Sequence, residues 1–554
     1  MDPNAQPFVP YAQLARDQAF ERGFRQRLVE YIHYRNCNPS IQPFRLDDYP
    51  SWKTMRLPMR RRERGDAPGR YPVYMGQPVQ RIPLHRMPKT DIDALRQVPQ
   101  PTIVRNAYRR IQQVKNFFYQ KPGGYVFKKT LGFGGFGVCA HYKYIGMDMP
   151  QRPRNIAVKF STTSWANPGL RRELKMQRKF ARAAHMLQAI PRSGIGYPER
   201  TPVAVPLPDD DSSDEYESSG DETVEKPTAA FLARRKRRAD LTPAELAKKK
   251  TRWNVPFQYG NARPGDNEPD FLITELMESG DLYSLIVKAS EQRRPIPHRV
   301  LWAFWLCLIK QCMAMAYPPR KFHPSRNKNP DSNLDEGIPD EKYRWRMKRY
   351  VHWDIDPQNV LIGDLDPKDK DHSRIPRLKL GDFGLAEEMK LQKRDEYYLN
   401  RRRHGKDGYY APEQFAEDWE FLPCERNGAN VCDEPIAGNY GPHTNVWAIG
   451  LTMGSVISRS WPSKPPRAGR IDIGGGKVVA TYGRWLLTPE FSSVDYVLRW
   501  NVATCLCHDP ADRPTLGSLL RRARTALEKP PRQGESDAEI SAWVQQAIYN
   551  APMQ

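Results

Sequence analysis

Apolar and polar positions follow two different patterns along this chain, an earlier one and a later one. Residues 125–160 and Phe271–Leu276 alternate between apolar and polar side chains or run apolar briefly, which predicts β-strands. Longer apolar runs follow, separated by polar loops, and they predict buried helices at Val300–Ala316, Thr444–Ile457 and Val494–Leu506. The pattern therefore predicts a strand-rich part followed by a mainly helical part.

The first 105 residues do not fit either pattern. They contain scattered prolines, the basic cluster Arg60–Arg64 and one helical stretch near Tyr11–Tyr34. We interpret residues 1–105 as a basic, mostly disordered extension with one candidate docking helix. A second helical pattern at Ala107–Tyr119 ends at the helix-stopping sequence that begins with Lys121, which predicts a leading helix within residues 106–124.

A charged insert interrupts the strand-rich part at residues 200–260. An acidic stretch at 209–222 is followed by the basic clusters Arg234–Arg238 and Lys248–Lys250. This charge segregation predicts a flexible loop. The two basic clusters also fit a bipartite nuclear localisation signal, although a solubilising charge run explains them equally well.

Composition narrows the class of protein. Hydrophobic residues make up 39% of the 554 residues and charged residues 27%, and the eight cysteines are too sparse for a secreted disulfide scaffold. Cys505 and Cys507 do not have the spacing of a structural zinc site. The N-terminus lacks the pattern of a signal peptide, and the apolar run Val300–Ile309 is too short to span a bilayer, so we expect no membrane span. We therefore expect a reduced, intracellular, soluble protein.

The net charge of +23 favours anionic partners, but it does not distinguish nucleic acid from acidic lipid, phosphate or acidic protein segments. No nucleic-acid reader motif accompanies it, and aromatic residues are not patterned along the basic runs. We therefore expect nucleic acid to bind only non-specifically, if it binds at all.

Two elements of the strand-rich part carry candidate chemistry. The glycine-rich segment Gly132–Gly137 follows a strand and has the spacing that lets backbone N–H groups close over phosphate. An ordinary glycine-rich β-turn would have the same sequence pattern. The next segment looks like a second strand, which argues against a dinucleotide-binding fold. Lys159 ends an apolar strand, and Glu173 is the one acid between Phe160 and Pro198, so the two residues are candidates for an ion pair. Alternatively, Lys159 faces solvent and Glu173 forms a local salt bridge.

Two acidic motifs follow in the helical part. Asp354 precedes Asn359 by five residues in a loop that leads into an apolar strand, which suits a base and a metal ligand. Asp382 ends another short strand before Phe383 and Gly384, and it is a candidate ligand for Mg²⁺, although isolated turns of this kind are common.

Taken together, the ordered motifs resemble the eukaryotic protein kinase superfamily over residues 125–528. The motifs that carry the resemblance are the glycine loop, Ala157-Val-Lys159, Glu173, His352-Trp-Asp354 through Asn359, Asp382-Phe-Gly384, Ala411-Pro-Glu413, Asn445-Val-Trp447 and Asp509 through Arg513. The resemblance implies an α+β, bilobal fold with a β-rich N-lobe and a mainly helical C-lobe. The implied domains are 106–124 as a leading helix, 125–277 as the N-lobe with the insert 200–260, 278–528 as the C-lobe and 529–554 as a tail helix.

The resemblance also implies a site for ATP and Mg²⁺. Asp354, Lys159 and Glu173 would be catalytic, with Asp354 accepting the proton of the substrate hydroxyl, while Asn359 and Asp382 would hold the metal. The remaining nucleotide contacts would come from Gly132, Phe133, Gly134, Gly135, Phe136, Gly137, Cys139, Ala157, Thr274, Glu275, Met277 and Leu361. Arg513 is expected to pair with Glu413.

The chain departs from the family pattern at several positions. Trp353 replaces the arginine that docks a phosphorylated activation segment, so we expect activity without phosphorylation of Tyr397 or Tyr398. Asp356 replaces a lysine of serine/threonine kinases and either repels phosphate, turns away or binds a cation, and Lys406 replaces a threonine. Polar Gln177 stands at an apolar spine position, and Asn445 replaces a supporting acid.

Two functions remain open from the sequence. The first is an ATP-dependent protein kinase, with serine/threonine specificity favoured because the catalytic loop lacks the tyrosine-kinase pattern. The alternative is a nucleotide-binding pseudokinase that acts as a scaffold. Basic residues at Lys393, Arg394 and Arg401–Arg403 suit an acidic protein substrate, or they form a merely solvated loop. Regulatory partners would bind through residues 1–105 or 200–260. We expect the protein in the nucleus if the two basic clusters act as a nuclear localisation signal, and otherwise in the cytoplasm.

Overall fold

The structure is a computed structural model. It describes residues 109–116, 118, 124–134, 137–147, 152–161, 167–196, 270–319, 334–340, 345–391, 397–398, 401–402, 404–406, 408–416, 435–463 and 466–549. The predicted N-terminal extension, its docking helix and the charged insert 200–260 lie outside the described residues, and so do Gly135 and Phe136.

The strand-rich part forms one four-stranded antiparallel sheet in the order β1-β2-β3-β4. The strands are β1 (Tyr125–Gly134), β2 (Gly137–Tyr144), β3 (Asn155–Phe160) and β4 (Phe271–Glu275). Strand β2 buries alternate residues, as its sequence pattern predicts for a strand with one face on a core. The predicted strand after the glycine loop is therefore confirmed.

A leading helix, α1 (109–116), packs its apolar residues against this sheet. Ile111 and Val114 are buried in the same cluster as the apolar residues of the strands, and the ring centroid of Phe118 lies 4.5 Å from that of Tyr142. A second helix, α2 (Pro168–Lys179), follows strand β3. It is capped by Asn167, whose side chain accepts hydrogen bonds from the second and third residues of the helix.

The later part is mainly helical, as the apolar runs predict. Its helices are α3 (Leu282–Glu291), α4 (His298–Ala316), α5 (Pro412–Phe415), α6 (Pro442–Ser458), α7 (Tyr496–Cys505), α8 (Leu516–Leu527) and α9 (Asp537–Val544). Single turns of 3₁₀-helix lie at Arg192–Ile195, Arg484–Leu487, Pro489–Phe491 and Pro510–Asp512, and a π-helical turn lies at Gln545–Tyr549. The two parts together confirm the predicted α+β, bilobal class.

Helix α4 is the central helix of the larger lobe. Within the described residues it is the one helix that is long and apolar enough to cross a membrane, but 94% of its apolar window is buried inside the protein. Burial on all sides is typical of a core helix, and it explains why the helix is apolar all round.

Three pairs of short strands shape the loops of the larger lobe. They pair β5 (Tyr350–Val351) with β8 (Glu387–Glu388), β6 (Val360–Ile362) with β7 (Leu378–Leu380), and β9 (Gly469–Asp472) with β10 (Val478–Thr481), all antiparallel. The loop between β5 and β6 contains Asp354, and β7 ends just before Asp382. The short strands therefore fix both acidic motifs.

A backbone connection joins the segment after α2 to strand β7. The N–H of Leu187 donates to the carbonyl of Leu380 at 2.9 Å, and the N–H of Leu380 donates to the carbonyl of His185 at 2.9 Å. Because α2 belongs to the smaller lobe, this pairing ties the smaller lobe to the strand that carries Asp382.

Candidate active site

Three charged residues from separate elements meet at the junction of the lobes. Lys159 Nζ lies 2.8 Å from Glu173 Oε1 and 2.7 Å from Asp382 Oδ1. The predicted pairing of Lys159 with Glu173 is thus present, and Lys159 does not face solvent, since only 15% of its side chain is exposed. Burial alone would lower the pKa of Lys159, but the Asp382 and Glu173 carboxylates raise it, so the ammonium stays charged.

Glu173 reaches Lys159 because of its position on α2. Leu170, Glu173 and Gln177 are the buried residues of this helix, and their spacing places them on one face. Gln177 is buried, and its side-chain nitrogen donates to the carbonyl of Leu187 at 2.8 Å, while its side-chain oxygen has no hydrogen-bond partner among the described residues. A polar residue is therefore accommodated at the position where an apolar one was expected.

The catalytic loop, residues 352–359, holds Asp354 and Asn359 together. The Asn359 side-chain nitrogen donates to Asp354 Oδ2 at 3.0 Å and to the carbonyl of Asp354 at 2.8 Å. Asn445 supports the loop from α6, because its oxygen accepts from the N–H of His352 at 3.0 Å and its nitrogen donates to the carbonyl of Tyr350 at 2.8 Å. An amide here serves as both donor and acceptor, which a carboxylate could not do.

The Asp356 side chain turns away from the cleft and binds a cation. Its Oδ1 accepts from the N–H of Gln358 at 2.6 Å and from that of Asn359 at 3.2 Å, and its Oδ2 lies 2.6 Å from Lys406 Nζ. Only 1% of the Asp356 side chain is exposed. Two of the three outcomes expected from the sequence are therefore realised together, and the carboxylate does not point at a phosphate.

Asp354 sits in an environment that favours its neutral form. Burial, followed by the negative charge of Asp356, raises the pKa of Asp354 to about 7, against the opposing effect of Lys406. A carboxylate with a pKa near neutral pH is suited to accept a proton and to release it again.

Trp353, which precedes Asp354, and Asp382 itself have left-handed backbone, which is uncommon outside glycine. Trp353 has φ 68° and Asp382 has φ 55°. Such conformations persist only where the surrounding structure holds them, and they concentrate at functional sites. Here the flanking short strands, β5 to β8, supply that support.

The glycine hairpin covers the same junction. Its register pairs Gly132 with Cys139 and Gly134 with Gly137. Gly137 has φ +152°, and a Cβ there would lie 2.4 Å from the carbonyl oxygen of Phe160, so only glycine fits. Gly135 and Phe136 are outside the described residues.

The predicted adenine contacts lie on neighbouring elements behind this hairpin. Cys139 pairs with Lys159 across β2 and β3, and Ala157 pairs with Thr274 across β3 and β4. Leu361 approaches from β6 and lies within 3.5 Å of the position of a Cβ on Gly381. The hinge that follows β4 is held by a salt bridge of 2.7 Å between Glu275 and Lys379, and Met277 comes next along it. The strand pairings thus bring Cys139 next to Lys159 and Ala157 next to Thr274, and the nucleotide-binding role of these residues stays a prediction.

The activation segment, from Asp382 to Glu413, is anchored at its end by a buried ion pair. Arg513 donates to both oxygens of Glu413 at 2.8 Å, as the sequence predicts, and both side chains are essentially inaccessible. Arg401 lies 2.6 Å from Glu387, and Arg402 is buried and donates to the carbonyl of Gln414. Two of the basic residues considered for acidic substrates are therefore engaged within the protein.

Trp353 stands at the position where the family has an arginine, and it packs in an aromatic cluster. Its indole N–H donates to Glu387 at 3.1 Å, and its ring packs at a centroid distance of 4.8 Å from that of Tyr440. Tyr398 belongs to the same cluster and is 3% exposed. Tyr398 of the activation segment is thus packed in the same cluster as the tryptophan that stands at the expected arginine position.

Sequence reasoning missed the partnership of Asp356 with Lys406. Both residues were recognised as departures from the family pattern, but they are 50 positions apart and carry opposite charges. Their complementary charge was the available signal. Lys379 was also missed, because a lysine inside a three-residue strand gives no sign of its partner Glu275.

Comparisons with known proteins find similarity to protein kinases. Residues 343–524 match the family model of the protein kinase domain. Among curated proteins, the proto-oncogene tyrosine-protein kinase ROS of Gallus gallus is 25% identical over 269 residues, which cover 48% of this chain and 9% of that protein. The human protein-tyrosine kinase 6 is 23% identical over 270 residues, covering 48% of this chain and 43% of that protein.

The chain is also similar to a plant receptor kinase and, at low identity, to a chain of a solved complex. The PR5-like receptor kinase of Arabidopsis thaliana is 28% identical over 193 residues, covering 33% of this chain and 25% of that protein. The solved structure of the CAK complex of Chaetomium thermophilum bound to ATP-γ-S has a chain that is 15% identical with a TM-score of 0.41, over 79% of this chain and 98% of that chain. The chain thus spans less than two thirds of the length of these curated relatives.

Proposed function

We propose that this chain, which belongs to the eukaryotic protein kinase superfamily, transfers the γ-phosphoryl group of ATP to a serine or threonine hydroxyl of a protein. The observation that carries the proposal is the position of the Lys159 ammonium, whose Nζ lies 2.8 Å from Glu173 Oε1 and 2.7 Å from Asp382 Oδ1. Asp354 and Asn359 complete the set in the adjoining loop. All five groups that phosphoryl transfer uses in this family are present.

The residues fit a magnesium nucleotide. Asp382 offers a carboxylate whose side chain is 35% exposed, and Asn359 uses only its nitrogen in its hydrogen bonds among the described residues, which leaves its amide oxygen for a ligand. Oxygen donors of this kind are the ones Mg²⁺ prefers. Bound Mg²⁺ would neutralise phosphate charge, and Asp382 and Asn359 would hold it.

Lys159 would contact the nucleotide's phosphates, positioned by Glu173. In the reaction, the substrate hydroxyl oxygen forms a bond to the γ-phosphorus, the bond from that phosphorus to the β,γ-bridging oxygen breaks, and ADP leaves. The hydroxyl proton passes to the carboxylate of Asp354. Lys406, which lies beside the catalytic loop through its ion pair with Asp356, supplies a positive charge near this transfer.

The choice between serine/threonine and tyrosine rests on the catalytic loop. This loop has no arginine in the pattern of tyrosine kinases, and an amine reaches it from Lys406, at the place where serine/threonine kinases have a lysine. Tyrosine specificity is a second candidate, because two of the similar proteins named above are tyrosine kinases. Phosphoamino-acid analysis of labelled peptide mixtures containing Ser, Thr or Tyr acceptors distinguishes the two.

The experiment that tests kinase activity compares the full chain with two variants. Purified protein is incubated with labelled ATP, Mg²⁺ and acidic or basic model substrates, beside Lys159→Met and Asp354→Asn. Transfer by the wild type that both variants lose supports the proposal. Equal label in all three preparations, or none in any while labelled ATP still binds, identifies a nucleotide-binding pseudokinase instead.

Location and partners are further proposals that rest on the sequence alone. We propose that Arg234–Arg238 and Lys248–Lys250 direct the chain to the nucleus, and that residues 1–105 or 200–260 bind regulatory proteins. Deleting residues 209–250 from a fluorescent fusion tests the first proposal, since the fusion should move to the cytoplasm. We also propose an acidic substrate, which rests on the basic residues Lys393 and Arg394 in the sequence. Arg401 and Arg402 do not add to this proposal, because they form contacts within the protein.

A further inference from the structure

A cluster of potential metal ligands lies behind the active site, on the far side of strand β7. His185 follows α2, Cys307 lies on α4, and His372 lies in the connection between β6 and β7. The three side chains are buried, with exposures of 0%, 0% and 1%. None of them contributes to the phosphoryl-transfer site, so their convergence needs its own explanation.

The ligand atoms have the separation that a small metal ion requires. The Nε2 atoms of His185 and His372 are 3.1 Å apart, and one ligand atom from each of the three residues lies within 4.8 Å of the others. Two imidazole nitrogens bound to a tetrahedral zinc ion at about 2.0–2.1 Å lie about 3.3 Å apart. Two nitrogens and one sulfur are ligands that zinc prefers over magnesium or calcium.

The outer nitrogens of both histidines are held by acceptors. His185 Nδ1 lies 2.6 Å from Glu336 Oε2, and His372 Nδ1 lies 3.3 Å from the carbonyl oxygen of Ile375. A histidine that binds a metal through one nitrogen commonly donates the proton on its other nitrogen to a carboxylate or carbonyl. If each Nδ1 is protonated, the two Nε2 lone pairs face each other, and this arrangement needs a positive charge between them.

Glu336 strengthens this interpretation. Its carboxylate is buried and receives both the backbone N–H of His185, at 2.8 Å, and the ring of the same residue. Within the described part of the chain, Glu336 forms no salt bridge with lysine or arginine, in contrast to nearby Asp335 and Asp371, which pair with Lys310. A cation bound by His185 would compensate the charge of Glu336.

We propose that His185, His372 and Cys307 bind one zinc ion, with water in the fourth position and with Glu336 and the Ile375 carbonyl orienting the two rings. On binding, a bond forms between the metal and the Cys307 sulfur, and the thiol proton leaves to solvent. This inference does not depend on the proposed kinase activity. Cysteine spacing gave no sign of the site, because its ligands come from three segments that are up to 187 positions apart.

The site would hold strand β7 from behind. The carbonyl of His185 accepts from the N–H of Leu380, and Asp382 follows two residues later. A metal shared by His185, His372 and helix α4 would therefore join α4 to the segment that positions the active-site acid. We expect loss of the metal to lower thermal stability and to loosen the acid's position.

The first experiment measures metal in the full chain as purified from zinc-supplemented cells. Mass spectrometry of the metal content should find close to one zinc per chain after dialysis against metal-free buffer. Replacement of zinc by Co²⁺ should give a sulfur-to-cobalt charge-transfer band in the near ultraviolet. Zinc below about one tenth of an equivalent, in protein that is folded by circular dichroism, would overturn the proposal.

Matched cysteine variants on one helix decide whether the sulfur is Cys307. Cys307→Ser should lose the charge-transfer band and bind zinc at least about 10-fold more weakly. Cys312→Ser is the control, since Cys312 is buried on the same helix α4 but belongs to no cluster of potential ligands within the part of the chain that the structure describes. A band that survives in Cys307→Ser, or disappears in Cys312→Ser, would contradict the assignment.

Glu336→Gln tests the orienting role and provides a variant that keeps every ligand. It should retain the charge-transfer band while weakening zinc binding by about 10–100-fold. The metal-free alternative is a hydrogen-bond chain in which Glu336 keeps its own proton and His185 donates to His372. That chain predicts no zinc and an unchanged melting temperature when a chelator is added, and either finding would exclude the metal site.

Discussion

Lys406 of the activation segment forms an ion pair with Asp356 of the catalytic loop, with 2.6 Å between Lys406 Nζ and Asp356 Oδ2. Asp356 is almost fully buried, whereas 29% of the Lys406 side chain is exposed. The pair therefore places an amine at the edge of the loop, held by a carboxylate that itself does not face the cleft. A second contact, from the amine to the side-chain oxygen of Gln358, fixes it further.

Removing this amine should slow phosphoryl transfer. We expect Lys406→Met to lower kcat by about 100-fold, because it removes a positive charge near the transferring group and leaves Asp356 without its cation. Steady-state kinetics with a model substrate measure the effect. The double variant Asp356→Lys with Lys406→Thr restores the family arrangement and should recover much of the rate. Full activity in Lys406→Met would show that the pair is only structural.

The pH dependence of the reaction should report on Asp354. Burial and the charge of Asp356 raise the pKa of Asp354 to about 7, and the residue accepts a proton only when it is ionised. We therefore expect kcat to fall about 10-fold for each pH unit below this value. In Asp356→Asn a negative charge is lost, so the pKa of Asp354 falls and the acid limb of the profile should move to lower pH. A limb that stays in place would assign the titration to another group.

Activity should not require phosphorylation of the activation segment. The phenol of Tyr398 is buried and donates to the carbonyl of Lys390 at 3.2 Å, and the phenol of Tyr397 accepts from the N–H of the same residue at 3.0 Å. Tyr397→Phe combined with Tyr398→Phe should keep kcat within a few-fold of the wild type, at a cost of about 0.5–1.5 kcal/mol in stability for each lost hydrogen bond. Abolished activity in a variant that melts cooperatively would contradict this expectation.

The buried pair of Glu413 and Arg513 should dominate the stability of the larger lobe. Arg513→Met leaves a buried carboxylate without its partner, and we expect a loss of about 3–5 kcal/mol in the free energy of unfolding. Lys477→Ala is the control, because its ion pair with Asp512 is exposed and should matter little. Urea denaturation measures both variants.

The same pair also sets an acid dependence. Burial alone would raise the pKa of Glu413, but Arg513 lowers it below the ordinary value. A carboxyl with a lowered pKa in the folded state stabilises the fold above its unfolded pKa, and this contribution is lost as the pH falls through its folded pKa. The wild type should therefore lose more stability on acidification than Glu413→Gln does. Equal acid profiles for the two proteins would show that Glu413 does not titrate with unfolding.

The sequence predicted most of this site because phosphoryl transfer needs particular side chains in a fixed order. Lys159, Glu173, Asp354, Asn359 and Asp382 each follow a local pattern that can be read without knowing the fold. The helices were also predictable, since the apolar run Val300–Ala316 matches α4, which begins at His298. Strand and helix ends shifted by a few residues because capping and packing set them.

The parts that could not be predicted depend on which way a side chain turns. The identity of residue 356 as aspartate does not determine whether its carboxylate faces a phosphate or accepts hydrogen bonds from the N–H groups of Gln358 and Asn359. Only the folded loop decides that, and it places the carboxylate on those N–H groups. His185 and His372 meet for the same reason, because the backbone path of two distant segments brings them together.

The hydrogen bonds between Leu187 and Leu380, and between Leu380 and His185, have a consequence for how this protein could be switched off. Gln177 of α2 donates to the carbonyl of Leu187, so a partner that rotates α2 outward to separate Glu173 from Lys159 would also pull on the segment that pairs with β7, the strand that leads to Asp382. Displacement of α2 would therefore also disturb the position of Asp382. An inhibitor that stabilised such an open form would be recognised by faster amide exchange at both Leu187 and Leu380.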